Sequence, residues 1–249
     1  CDHHLPGVDL PQAVAILDPK QKNCNYPFKD LCGCGIGFKL IEALTQERGL
    51  SFEMILPYID LVAMAIAADI VPILGENRIL TYYGLAQIRK NPREGIKLFI
   101  TGIKRELNVT DLVFVIAPRL NAAGRIKHGS LAVELLLSND PAEALSRGRA
   151  IELFNSERQV LDQHITEQAL DQIVENQEQN NYSSVVFQPD WHKGVIGIVA
   201  SRLIEKYYRP TVVFTASGDF FTGSVRSVKG LDVLQILDSC KDHIEKFGG

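Results

Sequence analysis

The spacing of apolar residues along the chain changes near residue 180. Before that point apolar positions recur every three or four residues, which is the period of an amphipathic helix. After it, short apolar runs alternate with helical stretches, as in a small lobe of strands and helices. The pattern therefore predicts an α/β protein with two lobes. The predicted helices of the first lobe are Gly35–Gly49, Asp60–Ile70, Glu76–Lys90, Ile96–Leu107 and Leu131–Leu137.

Three details of the first lobe give sharper predictions. Gly49 suits the end of the first helix, because glycine readily adopts the left-handed conformation found there. Ala13–Leu17 is a short apolar run before Asp18-Pro19, which predicts a buried strand. Glu76-Asn77-Arg78 is interpreted as the cap of the helix that it opens. The apolar stripe predicted for that helix is Ile79, Leu80, Tyr83, Leu85 and Ile88.

A long helical pattern begins at Pro141 and continues to about Gln177. Proline is accepted in a first turn because its missing N–H would have no partner there. Such a helix would reach about 50 Å at 1.5 Å per residue. We expect a strut that joins two lobes, with the functional motifs facing a cleft between them. Its apolar side comprises Leu145, Ile151, Phe154, Leu161, Ile165, Leu170 and Ile173.

The second lobe follows a polar break at residues 178–181. Apolar runs rich in valine and phenylalanine predict strands, and the stretches of helical period between and after them predict helices. The expected order is strand Ser184–Phe187, helix Gly194–Tyr207, strands Thr211–Phe214 and Phe220–Val225, and helix Asp232–Ile244.

Composition limits the class of protein. A chain of 249 residues with 46% hydrophobic residues can build one large or two small domains. The most apolar stretch, Ile55–Leu74, contains two prolines and two aspartates, so no membrane span is expected. Five cysteines, an odd number, favour reduced thiols and a cytoplasmic location. Cys32-Gly33-Cys34 has no zinc-site partner pair and is interpreted as small buried residues in a turn.

The net charge of −4 is unusual for a protein that binds polyanions without specificity. A nucleic-acid site would have to be a local basic groove, with divalent metal offsetting the carboxylates at its centre. Candidate ligands exist. Asp2-His3-His4 places a carboxylate beside two imidazoles, and Asp69 ends a distant apolar run. Oxygen and imidazole ligands together suit Mn²⁺, Mg²⁺ or Zn²⁺, although a polar loop and a capping aspartate would explain the same residues.

Three further segments accompany these residues in a fixed order: Pro118–Arg125, Trp191–Gly197 and Gly223–Ser227. With Asp2-His3-His4 and the segment 68–72, they resemble the RecJ family over essentially the whole chain. That family comprises bacterial exonucleases that degrade single-stranded DNA from the 5′ end and belong to the DHH phosphoesterases. Its members also carry an Asp-x-Asp motif before the DHH triplet and sequence after the Gly-Gly pair. We therefore expect this chain to be an internal piece of a longer protein.

The resemblance implies an architecture and a metal centre. Residues 1–138 would be the C-terminal part of a DHH domain, residues 139–180 the connecting helix, and residues 181–249 a DHHA1-type domain. The resemblance implies catalytic roles for Asp2, His3, His4 and Asp69, of which the histidines and Asp69 hold Mn²⁺ or Mg²⁺. It also implies single-stranded DNA as substrate, with single-strand binding protein and repair helicases as candidate partners, and a monomer without membrane attachment.

The other motifs offer phosphate contacts, each with a structural alternative. Arg119, Asn121 and Arg125 stand among small residues that let a backbone approach phosphate, and arginine binds phosphate through two N–H groups. The alternative is a tight turn with surface arginines. His192 and Lys193 precede a helix whose free N–H groups attract anions, or else form a turn packed by Trp191.

Ser224 and Arg226 lie two apart on a strand and so point to one face. The resemblance implies that they grip the 5′-phosphate.

Two alternative functions are compatible with part of these motifs. A DHH phosphodiesterase could hydrolyse short oligonucleotides, cyclic dinucleotides or pyrophosphate with the same ligands. A scaffold could bind DNA or replication proteins without catalysis, but the intact His3, His4 and Asp69 speak against that for the longer protein. For this chain alone, without the upstream aspartates, an inactive and DNA-binding piece is expected.

Overall fold

The computed structural model describes residues 1–7, 9–69 and 71–248. The chain divides into two compact units. Unit 1 comprises Cys1–Asn121 and Gly129–Glu152, and unit 2 comprises Ala122–His128 and Leu153–Gly249. Helices and a small sheet are both present, so the predicted α/β class is confirmed. The domain boundaries at residues 138 and 180 stay a prediction.

Among the described residues of unit 1 the regular elements are all helical, and the chain before Gly33 forms turns and bends. Short 3₁₀ turns at Phe52–Met54 and Leu56–Tyr58 lead into the second helix, and a π-helical turn at Leu112–Ile116 joins the fifth helix to the sixth. The helices are α1 (Gly33–Glu47), α2 (Ile59–Asp69), α3 (Gly75–Lys90), α4 (Glu94–Ile100), α5 (Val109–Asp111), α6 (Ala117–Ile126), α7 (Ser130–Leu137) and α8 (Pro141–Glu175).

Helices α2 and α3 pack closely because Gly84 has no side chain. A methyl group at Gly84 would lie 2.4 Å from the carbonyl oxygen of Ile59, well inside van der Waals contact. Apolar side chains from α1, α2 and α3 then share one core, which excludes water from the helix interfaces. Its buried members include Leu31, Ile36, Phe38, Ile55, Ile59, Val62, Ile66 and Leu80.

Several helix predictions are confirmed, whereas one predicted strand and one predicted helix end are wrong. Helices α1, α2, α3 and α7 lie within two residues of their predicted bounds, except that Ile70 lies outside the described residues. Gly49 has the expected positive φ of 64°. Ala13–Leu17 is not a strand, since the described residues provide no neighbouring strand to share its hydrogen bonds. Helix α4 ends at Ile100 instead of Leu107, and Arg89 Nε donates to the Leu107 carbonyl (2.7 Å).

The buried face of α3 also differs from the predicted stripe. Ile79 and Tyr83 are more than half exposed, whereas Leu80, Leu85 and Ile88 are buried as predicted. The helix turns its Gly84 side toward α2, because that side allows the closest approach of the two backbones. The packing of α3 against α2 therefore decides which face of α3 is buried, and the spacing of its apolar residues alone does not.

Unit 2 contains a three-stranded sheet: β1 (Ser184–Phe187), β2 (Thr211–Ser217) and β3 (Phe220–Arg226). Strand β2 is central, parallel to β1 and antiparallel to β3. The crossover helix is α9 (Ile196–Tyr207). Helix α10 (Val233–Ser239) and a 3₁₀ turn at Lys241–His243 follow the sheet. The predicted order of strands and helices is confirmed.

The core of unit 2 lies under one face of this sheet. Val186 and Val213 pack with buried residues of α9 and of the second half of α8. Helix α8 is one continuous helix of 35 residues, as predicted. On its predicted apolar side, Ile151, Ile165 and Ile173 are buried. The prediction is wrong for Leu145, which is 40% exposed.

One buried arginine fixes the loops around this core. Arg209, which is buried, donates to Ser184 Oγ and to the carbonyls of Glu178, Gln179 and Asn181. These bonds tie the break after α8 to the start of β1. No helix among the described residues combines the length and apolarity that crossing a bilayer requires.

Candidate metal centre and phosphate-binding residues

The structure brings His3 and Asp69, which are 66 residues apart in the sequence, into contact. His3 Nε2 lies 3.3 Å from Asp69 Oδ2. The His3 side chain is only 14% exposed, and Asp69 is the last residue of α2. The ring also lies against the start of α1, where a methyl group on Gly33 would be 3.5 Å from His3 Cδ2. Two of the candidate ligands are therefore adjacent.

His4 and Asp2 form a local cluster beside His3, whose ring centroid lies 4.4 Å from that of His4. His4 Nδ1 lies 2.8 Å from Asp2 Oδ1, which also accepts the backbone N–H groups of His3 (2.7 Å) and His4 (3.1 Å). The backbone bond from His4, then the His4 side chain and the His3 backbone, lower the pKa of Asp2 to about 2. The Asp2 carboxylate is therefore ionised and pre-oriented by its own triplet.

One buried nitrogen favours a metal ligand here. His3 Nδ1 is buried and has no hydrogen-bond partner among the described residues. A buried imidazole nitrogen without a partner is costly, and imidazole nitrogen is a common ligand of divalent metals. Yet the described residues contain no group of three or more histidine, cysteine, aspartate or glutamate side chains arranged to hold an ion. The donor types fit Mn²⁺ or Mg²⁺, and the complete ligand set stays a prediction.

Cys32 lies at the same corner. Its Sγ accepts the Gly35 N–H (3.2 Å) and caps α1. It is fully buried, as expected, whereas Cys34 is exposed, so the prediction for the pair holds only for Cys32.

The Arg119 guanidinium is held by contacts within unit 1. Its Nε donates to Glu152 Oε1 (2.7 Å), its Nη1 donates to the Val115 carbonyl (2.7 Å), and the guanidinium lies over the Phe99 ring. These contacts favour a structural role over a phosphate contact.

The segment after Arg119 is helical, which changes the role of its small residues. Residues 120–125 lie within α6, so their N–H groups lie in helical backbone instead of an open phosphate-binding turn. Ala122 and Ala123 are buried, which serves packing. Asn121 is exposed at the surface of the helix. The alternative of a tight turn is therefore wrong, and a phosphate contact by Asn121 or Arg125 stays a prediction.

Arg125 lies in a cluster of positive charge in unit 2. Its Nη1 donates to the Gly194 carbonyl (3.1 Å), and a methyl group on Gly194 would lie 2.2 Å from the Arg125 carbonyl oxygen. Burial lowers the pKa of Arg125, and the charges of Arg158 and Arg226 lower it further. Like charges held together in this way are stabilised by a bound anion.

Arg158 belongs to this cluster and was missed by the sequence. It lies on α8, donates to Asn155 Oδ1 (3.1 Å), and has a buried Nε without a partner in the described part of the chain. Nothing in a long polar helix face distinguishes such an arginine from its solvated neighbours.

Ser224 and Arg226 project from β3 toward the N-terminus of α9. Ser224 pairs in register with Val213, whose side chain is buried on the α9 face. Arg226 Nη1 donates to Ser224 Oγ (3.2 Å). A methyl group on Gly197, in the first turn of α9, would lie 3.1 Å from Ser224 Oγ and 3.2 Å from Arg226 Nη2. A hydroxyl, a guanidinium and the start of a helix thus converge, which is an arrangement suited to phosphate.

The turn before α9 has features of both interpretations given above, an anion-binding site and a turn packed by Trp191. His192 Nδ1 accepts the Gly194 N–H (3.1 Å), and Lys193 is exposed. Trp191 is buried, donates to Gln168 Oε1 (2.8 Å), and its carbonyl accepts the Thr215 hydroxyl (2.6 Å). The tryptophan therefore packs the turn and leaves the lysine exposed to solvent.

The capping prediction for α3 is wrong. Leu74 is the N-cap residue and makes no side-chain cap bond. Glu76 instead accepts the Tyr26 hydroxyl (2.7 Å) and pairs with Lys39 (3.2 Å). Asn77 is buried and bonds two loops, which no sequence signal had indicated.

Comparison with known proteins gives consistent similarities. Residues 1–66 match the DHH family, N-terminal domain, and residues 163–249 match the DHHA1 domain. The whole chain is 40% identical to the single-stranded-DNA-specific exonuclease RecJ of Bacillus subtilis and 37% identical to that of Escherichia coli K12. It covers 31% and 47% of those proteins, so it spans about a third to a half of their length.

Solved structures agree with the sequence comparison. RecJ from Thermus thermophilus in complex with Mn²⁺ matches the whole chain with a TM-score of 0.87 at 31% identity, over 36% of that chain. An exonuclease RecJ bound to manganese matches with a TM-score of 0.80 at 32% identity, over 61% of that chain.

Proposed function

Because this chain belongs to the RecJ family, we propose that the protein containing it is a metal-dependent exonuclease that hydrolyses single-stranded DNA from the 5′ end in recombination and repair. The observation that carries the proposal is the contact between His3 and Asp69, which places imidazole and carboxylate donors at one point. The manganese-bound and magnesium-bound relatives support the same chemistry.

The metal centre would be held by His3, His4 and Asp69, with Asp2 beside them. Bound Mn²⁺ or Mg²⁺ would acidify a water molecule and offset charge on the phosphate. The chain's own contribution is orientation. Asp2 orients the His4 ring through Nδ1, and the start of α1 at Gly33 lies against the His3 ring beside Asp69.

The substrate would be bound through its phosphates in unit 2. Arg226 and Ser224 would take the terminal 5′-phosphate, since a terminal phosphate has more charge and more oxygens than a diester. Arg125 would add a second guanidinium there, and His192 and Lys193 are candidates for further contacts. Asn121, which belongs to unit 1, is a separate candidate for a phosphate contact. Arg119 is the weakest candidate, because its guanidinium already binds Glu152.

The broader assignment belongs to the same proposal. The DHH domain would occupy residues 1–138, the connecting helix residues 139–180, and the DHHA1-type domain residues 181–249. We propose a cytoplasmic monomer that works with single-strand binding protein and repair helicases.

One experiment separates this function from its rivals. The full-length protein is offered single strands labelled at the 5′ or 3′ end, duplex DNA and a dinucleotide, each with Mn²⁺. Release of label from the 5′ end of single strands alone supports the proposal. Hydrolysis of only the dinucleotide would support a small-substrate phosphodiesterase, and binding without hydrolysis would support a scaffold.

A further inference from the structure

Asn77 joins two loops through a buried side chain. The residue is 0% exposed and lies in the first turn of α3. Its Nδ2 donates to the carbonyl oxygens of Asp30 (2.6 Å) and Pro72 (2.9 Å). Because both partners are acceptors, the amide must present its NH₂ group to them, which fixes its orientation.

The two carbonyls belong to the segments on either side of the candidate metal centre. Pro72 lies three residues after Asp69, so a bond at Pro72 limits how far that carboxylate can move, given about 3.3–3.6 Å per extended residue. Asp30 lies three residues before Gly33, the first residue of α1, against which the His3 ring lies.

The intervening residues transmit this constraint. Leu31 and Cys32, between Asp30 and Gly33, are almost completely buried, at 2% and 0% exposure. A segment packed so tightly moves as one piece with its neighbours. The Asn77 side chain therefore ties two segments to α3: the segment that follows Asp69, and the segment that leads to the start of α1 beside His3.

Resting on the proposed metal centre, we propose that Asn77 is a positioning residue that fixes the separation of His3 and Asp69 and so sets the metal affinity. Asn77 touches neither the metal nor the substrate in this role. Residues that orient metal ligands typically change metal affinity by about 10- to 100-fold when they are replaced.

The chain offers a matched control on the same helix. Thr81 lies one turn after Asn77, is 2% exposed, and its hydroxyl is buried without a partner among the described residues. Asn77→Leu and Thr81→Val each replace a buried polar side chain by an apolar one of similar size. Only the first removes the bonds to Asp30 and Pro72.

The test measures Mn²⁺ affinity of the full-length protein by calorimetry, with urea unfolding as the measure of stability. We expect Asn77→Leu to weaken Mn²⁺ binding at least about tenfold and Thr81→Val to leave it unchanged, even if both lower the unfolding midpoint. Asn77→Ser, which keeps one short donor, should fall between wild type and Asn77→Leu. It also serves as the test if the leucine variant does not fold.

Unchanged Mn²⁺ affinity in the asparagine variants, or an equal loss in Thr81→Val, would overturn the proposal. The result is separable from the function itself. A wild-type protein that binds Mn²⁺ without degrading DNA would sink the exonuclease assignment alone. Asparagine variants with wild-type Mn²⁺ affinity in an active exonuclease would sink the positioning role alone.

Discussion

Gly197 and Arg226 lie so close that a single methyl group on Gly197 would come within 3.2 Å of Arg226 Nη2. The same methyl group would be 3.1 Å from Ser224 Oγ. The absence of a side chain at the start of α9 therefore lets the guanidinium and the hydroxyl rest against the helix N-terminus.

Gly197→Ala should displace this pair by a few tenths of an ångström. In the full-length protein we expect a lower ratio of cleavage rates for 5′-phosphorylated over 5′-hydroxyl single strands, because the contacts to the terminal phosphate no longer align. Gly37→Ala is the matched control, since nothing lies within 4 Å of its added carbon. It should leave the ratio unchanged and stabilise α1 by about 0.5–1 kcal/mol. An unchanged ratio in Gly197→Ala would argue against a grip at this point.

Arg226→Ala tests the grip directly. We expect it to lose most of the preference for a 5′-phosphate, at a cost of about 1.5–3 kcal/mol, as for hydrogen bonds to charged groups. Mn²⁺ affinity should stay at the wild-type value, and Arg48→Ala, an exposed arginine at the end of α1, should leave both quantities unchanged. A wild-type ratio of rates on the two ends would show that another residue recognises the 5′ end.

His3→Ala should weaken Mn²⁺ binding, because it removes the imidazole beside Asp69. For the 249-residue chain we expect weak binding already in the wild type, since its described residues hold no ready group of three ligands. In the full-length protein the loss should exceed about tenfold. His164→Ala, an exposed histidine of α8, is the control. Electron paramagnetic resonance of free and bound Mn²⁺ measures both, and equal affinities would remove His3 from the ligand set.

Asp111 should make the stability of unit 1 sensitive to acid. Its carboxylate accepts two hydrogen bonds of 2.7 Å from Arg105 and closes a capping box with Asn108. The Arg105 guanidinium, followed by the Asn108 N–H, lowers the pKa of Asp111. Since the folded pKa lies below the unfolded value near 3.9, this stabilisation is present above about pH 4 and is lost as the pH falls through the folded pKa.

The stability difference between wild type and Asp111→Asn should therefore shrink between pH 6 and pH 3 in urea unfolding. The stability difference between wild type and Arg105→Met should shrink over the same pH range, because this variant removes the other partner of the ion pair. A stability difference that stays constant over this pH range would mean that the negative charge of Asp111 does not contribute to the stability of unit 1.

The sequence by itself determined most of the helices and the whole order of the second unit. Periodicity was sufficient for α8, because 35 residues of one period leave few alternatives. It was sufficient for β1, β2 and β3, because short runs rich in valine or phenylalanine and bounded by turn residues indicate strands, and for α9, because the stretch between β1 and β2 has a helical period. It also placed Ser224 and Arg226 on one face, since strand geometry alternates side chains.

Only the tertiary structure decided which polar residues share a site. Ala13–Leu17 has the pattern of a strand, but a strand exists only with a partner to pair with. Arg119 and Arg125 look equivalent in sequence, yet one is bound to Glu152 and the other lies among arginines. Asn77 carries no signal at all, because its role depends on two backbone carbonyls, one of them 47 residues away along the chain. Such contacts arise from packing between distant segments, which local periodicity does not encode.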